Sequence, residues 1–467
     1  MIKIYNSISG KKEIFKSQRK NHVSMYVCGL TPYDDMHLGH ARAYVAFDII
    51  KRHLLKRGYK VKHVQNFTDV DDKIIERAMQ KKISPLKFAQ FYIDDFFDKI
   101  EKLNILKAEI YPRVTQMIPD IINFIKKLID KGFAYETNGN VYFSVEKIQN
   151  YCRLSKKKLN DLRTGTRMLV GNDKKSIFDF VLWKKTNENE PQEVTWTNPW
   201  NKRGRPGWHI ECSVMSLKLL GDIIDIHGGG QDLIFPHHEN EIAQSEAMTG
   251  KQFVKYWIHN GFVTINKKKM SKSLNNFFTL ESIFKKYSPR VVRYYLLTQH
   301  YSVPLEFSIK ELESAKNALQ DIDYAYLKLA SYTKKVTTKK VVDGDLLELN
   351  ANFLEALDND FNSVVALAYF HKLKNMVLSK VFSTTNVIRL AQIRKLFEDF
   401  FGLSLGFLLP RIYEKSEKNL DNLLKARVRA RKQKDWLESD RLRMLIRKMG
   451  YKIFDNKDGS FVIINEN

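Results

Sequence analysis

An α/β fold built on a parallel sheet, interrupted by an insertion and followed by helical units, is what the sequence predicts, and three observations carry that expectation. The first third alternates short apolar runs with helix-period segments, the pattern of repeated strand–helix–strand units. That alternation breaks off near Pro119 and resumes after about Arg205. Beyond Ser308 the strand-type runs give way to helical periodicity.

Taken in order, Ser24 to Gly29 reads as a buried strand, and the loop Leu30-Thr31-Pro32-Tyr33-Asp34-Asp35 leads to a helix from about Leu38 to Arg57, with Gly58 at the expected C-cap. A second strand, Lys60 to Phe67, is followed by Thr68-Asp69-Val70-Asp71-Asp72, which opens another helix; Thr68 and Asp69 suit either a ligand crevice or that helix's cap. Both opening loops then lie at the carboxyl ends of neighbouring strands, where open parallel sheets bind ligands. The stretch 119–204, with its aromatic loop Thr195-Trp196-Thr197-Asn198-Pro199-Trp200, reads as inserted. The alternation resumes at Gly207-Trp208-His209-Ile210-Glu211-Cys212 and gives a strand from Ile223 to His227, then Gly228-Gly229-Gly230, Asp232 and a helix beginning near His237. Segments from Ser308 to Tyr332 and Leu346 to Leu403 are helical, separated by a polar linker near Thr333 to Asp343. The last unit has a helix crowded with Lys425, Arg427, Arg429, Arg431, Lys432 and Lys434, a second helix opening at Trp436 and Asp440 and ending at Gly450, and a hairpin of Tyr451 to Phe454 with Phe461 to Ile464. The expected division is 1–118 with 205–260, an insertion at 119–204, a connecting region at 261–307, a helical bundle at 308–403 and a terminal unit at 410–467.

Composition bounds the function. With 467 residues and 43% hydrophobic side chains the chain buries a full core. No apolar stretch is long enough to cross a bilayer, and the start Met1-Ile2-Lys3-Ile4-Tyr5-Asn6 lacks the features of a secretory signal, so a cytoplasmic protein without a membrane partner is expected. Three cysteines cannot build a paired framework, which leaves metal binding or catalysis as their special uses. A net charge of +25 suits a polyanion such as RNA; a coding bias toward Lys, Asn and Ile produces the same excess.

Two separated patterns suit a triphosphate. His37-Leu38-Gly39-His40 opens a helix whose amide end favours anions, and both histidines share one helix face. Lys269-Met270-Ser271-Lys272-Ser273, preceded by Lys267 and Lys268, is a basic loop able to stabilise charge developing in a transition state. Glycines after a parallel strand let a nucleotide approach the backbone, so Gly229 joins Gly39 as an ATP contact, and Asp232 can accept hydrogen bonds from ribose hydroxyls. A second constellation comprises Cys28, Cys212 and the run His237-His238-Glu239-Asn240-Glu241, whose thiolate, imidazole and carboxylate groups are the usual zinc ligands. His237 and Glu241 stand one turn apart; His238 with Glu241 is also compatible with the spacing.

The ordered set Cys28 to Asp34, His37 to His40, Trp208 to Cys212, His227 to Gly230, Phe235 to Glu241 and Lys269 to Ser273 resembles the cysteinyl-tRNA synthetases over nearly the whole chain. The resemblance implies a Rossmann-like catalytic domain of the class I aminoacyl-tRNA synthetases, an all-α bundle, and a small mixed anticodon-binding unit at the end. It implies one zinc held by Cys28, Cys212, His237 and Glu241, and a catalytic role toward ATP and its magnesium for His37, His40, Lys269 and Lys272. Thr31, Trp208 and His227 match positions lining the amino-acid pocket, and Arg431, Trp436 and Asp440 fall in the anticodon-binding end that contacts tRNA(Cys). Pro32, where the family usually has valine, and Asn275, where glycine is common, depart from the pattern without removing a chemical group.

The implied metal also answers a selectivity problem. Cysteine and serine differ by one atom, a difference that shape alone discriminates by only ~1–3 kcal/mol. A thiolate is the better ligand for zinc, so the metal reads the substrate and no editing domain is needed. The implied activity is ATP-dependent cysteine–tRNA ligation by a monomer. The alternatives are a mycothiol-type cysteine ligase, against which the basic terminal unit argues, and a catalytically silent RNA-binding relative, against which the intact His37, His40, Lys269 and Lys272 argue.

Overall fold

Four strands form the expected parallel sheet, each buried on both faces as parallel strands require. After the antiparallel pair β1 (Lys3–Asn6) and β2 (Lys11–Ile14) come β3 (His22–Leu30) and β4 (Lys60–Phe67), joined by the helix Leu38–Lys56. The computed structural model describes residues 1–158, 173–186, 189–266, 268–269, 277–333, 336, 338–379, 386–410, 418–455 and 461–465. Two compact units are present: Met1–Ile283 with Tyr301–Glu306 and Asp358–Phe361, and Phe284–His300 with Phe307–Leu357 and Asn362–Asn467.

In the first unit the insertion contributes the helix Ile118–Asp130 and an antiparallel sheet, β5 (Ala134–Thr137), β6 (Asn140–Phe143), β7 (Phe180–Lys185) and β8 (Gly204–Pro206). The chain then returns to the parallel sheet with β9 (Ile224–Gly230) and β10 (Val254–Asn260). The spatial order is β10-β9-β3-β4, so successive strands run outward in opposite directions from the β3/β9 boundary. At such a boundary the strand ends leave a crevice for ligands. Alternation along β3 sends Met25 and Val27 into one core with Phe47, Ile226 and Ile258, and sends Tyr26 and Cys28 into the other with Cys212, Met215 and Trp257. Cys28 therefore faces the helices Ile210–Leu220 and Glu239–Thr249.

The structure extends or moves three expected elements. The strand expected to end at His227 runs on to Gly230, because its glycines stay paired with Ile258, His259 and Asn260 of β10; the approach is so close that a Cβ on Gly228 would sit 2.1 Å from the Ile258 carbonyl oxygen. The helix expected near His237 begins at Glu239, since Phe235 is extended (φ −139°, ψ 130°) and the histidines occupy an irregular turn before it. Thr68 and Asp69 do not cap the second helix; it starts at Asp72, and Asp71 accepts the amide of Lys73 at 2.9 Å.

Within the second unit, Ser308 caps the helix Ile309–Tyr332, and the helical stretch that follows is three helices, Gly344–Asp358, Ser363–Leu378 and Val387–Phe397. The terminal helices Lys418–Lys432 and Trp436–Lys448 pack with an antiparallel hairpin, Tyr451–Asp455 and Phe461–Asn465, around Leu420, Leu424, Ile446, Ile453 and Ile463. No helix among the described residues is long and apolar enough to cross a membrane.

Candidate active site and metal centre

A cleft of about 930 Å³ opens where β3 and β9 end. His37 caps the helix Leu38–Lys56: its Nδ1 accepts the amides of Gly39 at 3.1 Å and His40 at 3.3 Å, while the Nδ1 of His40 accepts the amide of His37 at 3.3 Å. With Nδ1 committed as acceptor, the proton of each neutral ring sits on Nε2, which makes that nitrogen a donor suited to an anion. The rings stack with centroids 3.7 Å apart, and both line the cleft with Gly39. Thr31, Gly229 and Asp232 line the same space. Beyond the lysine loop, the chain returns to this helix: Leu38 donates to the Phe278 carbonyl at 3.2 Å, and Leu280 to that of Met36 at 2.8 Å. The backbone of Lys269 pairs with Thr264. Lys272, with Met270, Ser271, Ser273 and Asn275, lies outside the described residues.

Cys28 from β3, Cys212 from the first turn of its helix, His237 and Glu241 come together, all buried, with one donor atom from each lying within 4.8 Å of the others. Nε2 of His237 is 2.7 Å from Oε1 of Glu241. A second set, Cys28, His227, His238 and Glu241, meets the same limit, so distance alone does not exclude His238. Access separates the two sets. Cys28, Cys212 and His237 line the cleft, whereas His227 is fully buried behind Glu241, 2.6 Å from its Oε2 and bonded to the Tyr26 carbonyl at 2.9 Å. His238 is held at 2.8 Å by His259.

Burial raises the carboxyl of Glu241, but His227 and His237 outweigh it and hold the group well below the usual carboxylate range. Burial opposes a charge on His237, yet Glu241 and Cys212 push its pKa up to about 10. A hydrogen bond with Cys28 brings Cys212 down to about 6 against its own burial, and burial pushes Cys28 up. The donors thus include a carboxylate, a readily formed thiolate and two groups that keep protons a cation would displace. Sulfur, nitrogen and oxygen donors at this separation fit a borderline-soft divalent metal.

Trp208 is 42% exposed and its ring lies 4.5 Å from that of His237, forming a wall of the cleft beside the donors. Three contributors have no role expected from the sequence, although Tyr33 and His209 lie inside its motif runs and only Asn66 lies outside them. Asn66 accepts the Gly29 amide at 2.9 Å, and a Cβ on Gly29 would sit 1.5 Å from the Asn66 carbonyl oxygen, so the two strand ends touch here. Tyr33 lies between Lys73 and Arg77, each 5.0 Å from its ring, which gives the rim a basic, aromatic edge. His209 stands 3.0 Å from His237. Thr68 donates to the buried Glu211 at 3.0 Å and Asp69 accepts from Thr115, so both brace the crevice wall.

In the terminal unit, Trp436 is 56% exposed and stays out of the small core. The guanidinium of Arg431 lies 5.6 Å from the Trp436 ring and binds Asp455 at 3.1 Å, and Asp440 is exposed one turn further along the helix.

A crevice at the reversal point of a parallel sheet and a helix capped by paired histidines are features this chain shares with the class I aminoacyl-tRNA synthetases, the class to which its catalytic-domain match assigns it. Residues 14–317 match the model of the class I (C) tRNA synthetase catalytic domain, and 417–462 that of the cysteinyl-tRNA ligase anticodon binding domain. The chain is 65% identical over 466 residues to the cysteine–tRNA ligase of Endomicrobium trichonymphae, covering 100% of this chain and 99% of that one. It is 44% identical over 468 residues to the cysteine–tRNA ligase of Methanococcus vannielii, covering 98% of each. Its fold is similar to Mycobacterium tuberculosis methionyl-tRNA synthetase in complex with methionyl-adenylate, with a TM-score of 0.59 at 16% identity over 82% of this chain and 89% of that one. The chain belongs to the cysteinyl-tRNA synthetase family.

Proposed function

We propose that this chain carries out its family's ligation in two steps within the one cleft. ATP lies over the helix that His37 opens, with its phosphates toward the Nε2 protons of His37 and His40, its ribose toward Asp232 and its backbone contact at Gly39 and Gly229. The cysteine carboxylate attacks the α-phosphorus and pyrophosphate leaves with its magnesium. Lys269 and Lys272 stabilise the negative charge that builds during the displacement. The terminal ribose hydroxyl of tRNA(Cys) then attacks the activated carbonyl and AMP departs.

Cys28, Cys212, His237 and Glu241 would hold one zinc, which when bound supplies a ligand position for a thiolate. Trp208 and Thr31 close the space around the small side chain, and His227 orients Glu241 from behind. Arg431, Trp436 and Asp440 offer a basic, aromatic surface to unstacked bases. We further propose a cytoplasmic monomer working with the division set out above, 1–118 with 205–260 forming the catalytic domain.

The observation that carries this reading is the four-donor cluster, of which Cys28, Cys212 and His237 line the same cleft as the His37–His40 pair. Metal analysis and cysteine titration of the wild type and of Cys212→Ser test it. About one zinc per chain, and a substitution that weakens cysteine binding far more than ATP binding, are expected. Full cysteine affinity in metal-stripped protein overturns the assignment. Pyrophosphate exchange with each amino acid, followed by tRNA charging, separates tRNA ligation from transfer to a small acceptor.

A further inference from the structure

The two ends of the lysine loop are tied to the helix Leu38–Lys56 by different means. After the loop the link is direct, through the backbones of Phe278 and Leu280. Before it, β12 (Lys268–Lys269) pairs with β11 (Val263–Ile265), whose other edge carries β13 (Leu305–Glu306) in the register Val263 to Leu305 and Thr264 to Glu306. The residues leading into β13 are gripped by the histidine-bearing helix itself. Nη2 of Arg42 donates to the Val303 carbonyl at 2.7 Å and approaches that of Tyr301 at 3.4 Å. Gln231 donates to the Ser302 carbonyl at 2.9 Å, and the Gly261 amide to that of Tyr301 at 2.8 Å.

Arg42 is 2% exposed and does not line the cleft. Burying a guanidinium is costly unless its protons are satisfied, and its planar fork suits neighbouring carbonyls in a way the point charge of lysine does not.

We infer that Arg42 is a positioning residue for adenylation: it holds the strap Tyr301–Glu306, and through β13 and β11 the strand that opens the lysine loop, in register with the histidine pair on its own helix. The inference rests on the proposed role of the lysines. Their contact with a developing charge depends on placement, and an error of about 1 Å costs up to ~10²-fold in rate.

A double-mutant cycle on the full-length protein tests this. Single-turnover adenylate formation at saturating ATP and cysteine is measured for wild type, Arg42→Gln, Lys272→Ala and the double variant. Arg42→Gln is expected to slow the step about tenfold with cysteine affinity changed less than about twofold, and to slow the Lys272→Ala protein by less than about twofold. Equal slowing in both backgrounds overturns the inference and leaves the lysine role standing. No slowing by Lys272→Ala alone overturns the lysine role, and the inference with it. Gly261→Ala displaces the same strap with Arg42 intact, because its Cβ would meet the Val303 carbonyl at 2.4 Å. It is expected to give the same loss with the same non-additivity, and it carries the test should Arg42→Gln not fold; a normal adenylation rate in Gly261→Ala overturns the inference.

Discussion

Glu241 in the catalytic unit and Asp455 in the terminal unit are both carboxylates enclosed by several polar side chains, and their partners differ in kind. Glu241 is fully buried between His227 and His237, at 2.6 and 2.7 Å, with Cys28 at 3.5 Å. Asp455 takes a two-point bond from Arg427 at 2.8 and 2.7 Å, and one bond each from Arg431 and Arg443 at 3.1 Å. Imidazoles and thiols can give up their protons to a binding cation, so the first ring has the chemistry to be converted into a metal site. Guanidinium groups cannot, so the second ring is a permanent clamp. A carboxylate's role is decided by whether its neighbours titrate.

The sharpest way to break that comparison is to neutralise each centre in turn. Glu241→Gln is expected to strip the metal and cut cysteine-dependent pyrophosphate exchange on the order of 10²-fold or more, while Asp455→Asn leaves exchange within about twofold. Equal losses in the two variants would end the distinction. Arg427→Met removes the most buried cation of the clamp, 1% exposed at its side chain. A destabilisation of the terminal unit by about 2–3 kcal/mol is expected in urea melts, below the fully buried value because Asp455 keeps some solvent contact. Charging of tRNA should fall with it and exchange should not.

Trp436 sharpens the comparison from the surface side. Because the ring is more than half exposed, Trp436→Ala should change stability by no more than about 0.5 kcal/mol. Loss of a stacking platform should still weaken tRNA charging by about 1–3 kcal/mol in transition-state terms, and added salt should weaken the wild type further. Unchanged charging would remove Trp436 from the RNA surface. The smallest effect is on acid stability. Burial raises the carboxyl of Asp455, but Arg427 and the two other guanidiniums outweigh it and leave the group below the ordinary aspartate range. Its contribution is therefore complete above the unfolded value of about 4 and fades as pH falls through the lowered folded value. The stability gap between wild type and Asp455→Asn should hold from pH 7 to about 5, begin to shrink below about pH 4 and vanish only once pH has passed below the lowered folded value. A gap that stayed constant from about pH 5 down through about pH 2 would contradict the clamp.

Elements governed by near neighbours were legible along the chain. The strand Lys60–Phe67 and the helix opening at Leu38 follow from hydrophobic period and capping, each set within a few residues, and the terminal hairpin from turn-type residues between two β-type runs. The chemical types at Cys28, Cys212, His237 and Glu241 were equally readable, because few other side chains ligate a metal. Choosing between His237 and His238 was not, since both positions are compatible with Glu241 in spacing; in the structure both stand within metal-ligand distance of it, and only His237 also lines the cleft.

The sequence by itself determined the parallel α/β class, the interrupting segment, the donor types and the histidine and lysine patterns, all of which are encoded in local period and side-chain chemistry. The tertiary structure alone decided that Asn66 braces Gly29, that His227 stands behind Glu241 and that Arg42 reaches across to Val303. Those contacts join residues 37, 14 and 261 positions apart. No local pattern specifies such partners, because each meeting depends on how whole strands and helices pack and on which buried polar groups must then find one another.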